Sequence, residues 1–149
     1  MGAATFSFDE NAFRSAMEKV GSVLGDRMKE LVNTTVELAK EDSPVGWHVH
    51  RPLSNSPAPP GYRGGTNRKS ITADFVTANG ERGSVGETPS AGGNEGMPSP
   101  GDMGFRVYTQ SGYGGWLELG TQLMEARPYI HTGFMRAVDS MTRSLEGCL

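Results

Sequence analysis

From Phe13 to Leu38 the chain repeats large residues at spacings of three and four: Phe13, Met17, Val20, Leu24, Met28, Leu31, Thr35 and Leu38. At the α-helical period these positions share one face, so the spacing predicts a single amphipathic helix over 9–42. Asp9 is the better N-cap, because Phe8 before it and Phe13 inside the helix can form a hydrophobic staple. Ser7 with Glu10 is a competing capping box, but its staple partner would be the polar Asn11. Pro44 ends the helix by Ser43, since proline disfavours a helical residue before it. Such a helix is about 50 Å long. That is more than one domain of this size needs, so either part of it packs on another subunit or it breaks near Gly25. Gly21 and Gly25 each cost about 1 kcal/mol relative to alanine; alternatively they mark close packing against another backbone.

The 149 residues suit one domain, 1–149, with a modest core. Its 21 glycines and 9 prolines concentrate between Ser43 and Gly104, so the compact part is smaller than the length suggests. With 14 basic and 17 acidic residues the net charge is −3, which argues against a general nucleic-acid binder held by phosphate contacts. The single cysteine, Cys148, excludes an internal disulfide. The N-terminus lacks the basic segment and apolar core of a signal peptide, and no run is long enough to span a bilayer. The expectation is a soluble protein made in a reducing cytoplasm, with no membrane partner.

After Pro44 the chain changes character. An extended Pro/Gly-rich arm over 44–69 carries Arg51, Arg63, Arg68 and Lys69 with no acid, between acidic flanks. Trp47, His48, His50 and Tyr62 are interleaved with these charges. The arm reads either as an extension reaching a neighbouring protein or DNA, or as a surface insertion with no partner. In the first case Trp47, Arg51, Tyr62, Arg63, Arg68 and Lys69 are its contacts, since Trp, Tyr and Arg dominate interface hot spots. Residues 70–86 read as a β-hairpin around Asn79-Gly80, expected as a type I′ turn. An irregular loop spans 87–103, and Phe105–Thr109 is the next strand. From Pro128, the residues Ile130, Phe134, Val138, Met141 and Leu145 predict a second amphipathic helix. The fold class is therefore α+β: a small antiparallel sheet of three to four strands packed against a long N-terminal and a C-terminal helix, with long irregular loops.

Between strand and final helix lies Trp116-Leu117-Glu118-Leu119-Gly120-Thr121, which sets one carboxylate in an apolar run. A buried carboxylate needs a partner. Arg127 is the candidate, since a guanidinium grips a carboxylate bidentately. Gly120 permits a sharp turn, and Pro128 suits the first turn of a helix. Glu118, Gly120, Thr121, Arg127 and Pro128 are thus expected to form a structural clasp. The alternative is that both charges are simply solvated.

Tyr113, Leu117-Glu118-Leu119-Gly120-Thr121 and Ala126-Arg127-Pro128-Tyr129-Ile130 also resemble, in order and spacing, the C-terminal signature of the tail-completion, or neck, proteins of long-tailed bacteriophages. Ser43-Pro44-Val45 and Asn67-Arg68-Lys69-Ser70-Ile71 match an upstream element more loosely. Here Gly46-Trp47-His48 follows Val45, where the family has Asp-Thr-Gly, and a long insertion precedes Arg68. The resemblance implies a structural virion protein, assembled in the host cytoplasm, that completes the tail end and joins head to tail. It implies a homo-oligomeric ring, hexameric in expectation. Its neighbours would be a head connector or stopper protein and a tail terminator or tail-tube protein, with DNA passing through the lumen.

No catalytic or cofactor-binding residue is assigned. The chain has neither a phosphate-cradling glycine loop nor a nucleophile in a recognisable setting. Two alternatives stay open: a small metal-dependent hydrolase using His48, His50 and Glu118 (Asp102 could take the third position), and a nucleic-acid-binding adaptor acting through the 44–69 arm.

Overall fold

The computed structural model describes residues 9–44, 60, 64–86, 102–122 and 124–147. In chain order the elements are α1 (Glu10–Asp42), α2 (Thr66–Lys69), β1 (Ile71–Val76), β2 (Arg82–Val85), β3 (Gly104–Thr109), α3 (Gly114–Leu119) and α4 (Ile130–Glu146). The class is α+β, with a three-stranded antiparallel sheet in the order β2-β1-β3.

Asp9 caps α1: its side chain accepts from the Ala12 amide at 3.0 Å. The helix runs unbroken through Gly25. Its two glycines mark close approach of the β1–β2 hairpin. A Cβ on Gly21 would lie 2.6 Å from Asn79 Oδ1, and one on Gly25 would lie 3.4 Å from Thr77 Cβ. The buried face begins only there, with Gly25, Met28, Val32, Thr35, Val36 and Ala39. Met17, Val20, Val23 and Leu24 are 54%, 51%, 60% and 47% exposed. The predicted single face is thus two faces. One lies on the sheet, while the other is covered by α4 in its C-terminal half and leaves Met17, Val20, Val23 and Leu24 about half exposed.

Val32, Val36 and Ala39 of α1 meet Ile71, Ala73 and Phe75 of β1 and Tyr129 ahead of α4 in one core. These β1 residues pair with Thr109, Val107 and Phe105 of β3. Phe75 lies over Gly83 of β2, where a Cβ would sit on its ring. The hairpin tip differs from the type I′ expectation. No described non-glycine residue has positive φ, so Asn79 does not take the left-handed conformation that such a turn requires. Instead Thr77 and Glu81 close a three-residue loop in which Gly80 alone has positive φ, at 78°. That geometry aims the Asn79 side chain at Gly21.

On the outer face of the sheet Asp74 is 6% exposed. It accepts from Arg106 Nε and Nη2 at 3.0 and 2.8 Å and from Ser84 Oγ at 2.8 Å. Burial opposes ionisation of this carboxyl, but the bonds from Arg106, Ser84 and Tyr108 outweigh it and hold the group below its ordinary range.

α4 runs antiparallel to α1: Gly133 near its start packs against Ala39, while Ser140 and Ser144 farther along lie with Glu30 and Leu31. The long Arg136 side chain reaches Asp42 at 2.6 Å. It starts at Ile130 rather than at Pro128, with Tyr129 at the cap position. Of the arm, Trp47, His48, His50, Arg51, Tyr62 and Arg63 lie outside the described residues, as do 87–101 and Cys148. The arm's end forms the short helix α2. α2 places Arg68 so that Nη2 donates to the Glu41 and Ser43 carbonyls at 3.2 and 3.0 Å, satisfying acceptors at the end of α1. Lys69 is exposed. Among the described residues no helix is long and apolar enough to cross a membrane.

Candidate functional site

The segment from Tyr113 to His131 is where the chemistry-bearing residues converge. α4 has no capping side chain of its own, because Tyr129 occupies the cap position. The first amides of a helix have no partner within it. Glu118, on the last turn of α3, supplies one. Its Oε2 accepts from the Tyr129 and Ile130 amides at 2.8 and 2.9 Å, and its Oε1 accepts from His131 at 2.8 Å. A negative carboxylate at a helix N-terminus also faces the positive end of the helix dipole.

This corrects the expected clasp. Among the described residues Glu118 and Arg127 form no ion pair. Three fixed backbone donors outcompete a flexible, hydrated guanidinium for the same carboxylate. Arg127 contributes through its backbone instead, its amide donating to the Leu117 carbonyl at 2.8 Å. Gly120 makes the turn with φ of 75°. A side chain there would be strained, and its Cβ would lie 2.7 Å from the Ala126 nitrogen. Thr121 pairs with Met124 through amide–carbonyl bonds of 2.8 and 3.3 Å. Pro128 precedes the helix and offers its carbonyl to Thr132 Oγ1 at 2.9 Å.

Behind this brace, Asn67 acts as a buried junction that the sequence did not single out for that role. Its Nδ2 donates to Ser43 Oγ at 3.0 Å. Its Oδ1 accepts from Thr109 Oγ1, Ser111 Oγ and the Tyr129 hydroxyl at 2.8, 2.7 and 3.3 Å. One side chain therefore ties the end of α1, the end of β3 and the start of α4. The Tyr129 hydroxyl also reaches the Gly114 carbonyl at 3.2 Å. Burial pushes the Tyr129 phenol above its ordinary pKa. One signal for the brace was present in the sequence: Ala126-Arg127-Pro128-Tyr129 offers no Ser, Thr, Asp or Asn cap, so the donors of α4 had to be met from elsewhere.

An open apolar cleft of ≈ 340 Å³ lies beside the brace, lined by Phe105, Val107, Glu118, Ile130, His131 and Phe134. Both Glu118 oxygens are already acceptors, so a metal could use them only by uncapping α4. His48 and His50, the other ligands of the hydrolase alternative, lie outside the described residues. Among the described residues no three His, Cys, Asp or Glu side chains converge to hold a metal. Two large apolar side chains flank Glu118 and face water: Trp116, 64% exposed, and Leu119, 82% exposed. Comparison with family models, with curated proteins and with solved structures finds no match.

Proposed function

We propose that this chain is a structural virion protein of a bacteriophage neck, one that completes the tail end and joins it to the head connector as a ring of identical subunits. The observation that carries this reading is the use made of Glu118. The one charge in Trp116-Leu117-Glu118-Leu119-Gly120-Thr121 is consumed as an acceptor for three backbone amides. The neighbouring signature residues likewise set backbone geometry: Gly120 turns the chain, and Tyr129 anchors it in the core. The run thus serves as a brace, which suits a building block better than a catalyst. Trp116 and Leu119, held outward by that brace, form the kind of apolar anchor that protein interfaces use.

The test is a phage carrying Leu119→Asp in this gene. Leu119 is already solvated, so the variant folds. The expected result is a drop in joined particles by at least about tenfold, as for loss of an interface anchor, with separate heads and tails accumulating. Normal yields of joined particles would count against the assignment.

A further inference from the structure

The heptad-spaced face of α1 has two halves with different fates. Toward its C-terminus, α4 lies along it. Gly133 meets Ala39, and Leu31 and Thr34 share a small cavity with Ala137, Ser140 and Met141. α4 stops at Glu146. By the same antiparallel register that end is roughly level with Asp26, both helices rising equally per residue. Beyond it the face continues through Met17, Val20, Val23 and Leu24, each about half exposed. No charged residue interrupts these four positions and Phe13 and Ala16 beside them on the helical wheel; the charges of that stretch point elsewhere. At its base it opens into an apolar groove of ≈ 350 Å³ lined by Leu24, Arg27, Met28, Leu31, Met103 and Phe105 among others.

We infer that the N-terminal half of α1 is a pairing surface for the same half of a second copy, laid antiparallel. Two features select this occupant. The first is continuity: the face takes a helix, α4, over its lower half, and an antiparallel second α1 points the same way as α4. The second copy therefore runs in the direction of α4, with its positive N-terminal end near the negative C-terminal end of α4.

The second feature is charge. A heptad face paired antiparallel sets Met17 against Val20 and Phe13 against Leu24, and the next layer out sets Glu10 against Arg27 at both ends. A parallel pair would instead set Glu10 against Glu10 and Arg27 against Arg27. Among the described residues Glu10 pairs with Arg14 at 3.0 Å and Arg27 with Glu30 at 2.8 Å, both exposed pairs of a kind exchanged at little cost. The pairing does not depend on the neck assignment. A ring closed by head-to-tail contacts has no place for a two-fold pair, so the pair is the form of the free protein and separates on assembly.

Sedimentation of the full chain over a range of concentrations tests this. The wild type is expected to be a dimer, and Val20→Glu a monomer with unchanged helix content, since Val20 is 51% exposed. Glu10→Arg alone and Arg27→Glu alone should each weaken the dimer by about tenfold, two contacts being reversed at once. The double reversal Glu10→Arg with Arg27→Glu should restore it, a rescue that only the antiparallel register provides. A monomeric wild type would overturn the proposal. So would a dimer indifferent to Val20→Glu, or one that the double reversal fails to rescue.

Discussion

At the scale of single residues the account rests on where two carboxylates find their donors. Glu118→Gln keeps the shape but turns an NH2 toward a backbone N–H, so it should cost about 2 kcal/mol in chemical denaturation. Arg127→Met should cost under about 1 kcal/mol, as for a partly exposed charge with no ion pair to Glu118, and the two effects should add. A coupling above about 1 kcal/mol would revive the ion pair. Asp74 makes a prediction in pH. Its folded pKa is held below the unfolded value by Arg106, Ser84 and Tyr108 against the pull of burial. The stability it contributes is therefore complete above its unfolded pKa of about 3.9 and is lost as pH falls through the lower folded value. Asp74→Asn should lose about 2 kcal/mol at neutral pH, between the exposed and buried limits for an ion pair, and should flatten the acid limb of the stability curve. An unchanged acid limb in the variant would contradict this. That Glu118 must either face water or find a partner was legible from Leu117-Glu118-Leu119 alone. That the partner is a helix end was not, because backbone donors leave no side-chain signature, and the eye goes to the nearest arginine.

At the scale of elements, spacing in the sequence carried the helices and strands well. α1 keeps its predicted cap at Asp9 and ends at Asp42, and the sheet is built from the predicted hairpin and Phe105–Thr109. What spacing could not carry was which stripe of α1 faces inward. Apolar residues at three-four spacing in α1 mark both the sheet contact and the α4 contact, and the two overlap on the wheel. The hairpin was misread for a related reason: Asn79-Gly80 favours a type I′ turn locally, but the tip packs on α1 at Gly21, and that contact goes with a longer loop. Helix–helix contact makes a sharp prediction at Gly133. A Cβ there would lie 2.6 Å from the Ala39 nitrogen and 2.9 Å from its Cα, and backbone cannot swing aside as a side chain can. Gly133→Ala should therefore destabilise by about 2–3 kcal/mol as overpacking, despite the better helix propensity of alanine. A neutral or stabilised variant would mean that α4 does not lie this close to α1.

At the scale of the whole molecule, the class was legible in the sequence. An α+β domain with a long first helix followed from patterning, because amphipathic faces of these periods have few ways to cover one another. The arm was different: most of 44–69 has no periodicity to read, and the contacts among its described residues lie at its end, where Arg68 closes α1 and Asn67 joins three elements. On the neck reading proposed above, function at this scale lies in surfaces that one copy leaves uncovered, which no single-chain pattern identifies. The neck assignment is tested most directly by imaging the head–tail junction of the phage that encodes this chain, with the chain labelled at its C-terminus. The account predicts label only at the junction, in several copies per particle arranged as one closed ring around the DNA channel. Particles without label, or with a single copy at the neck, would contradict it.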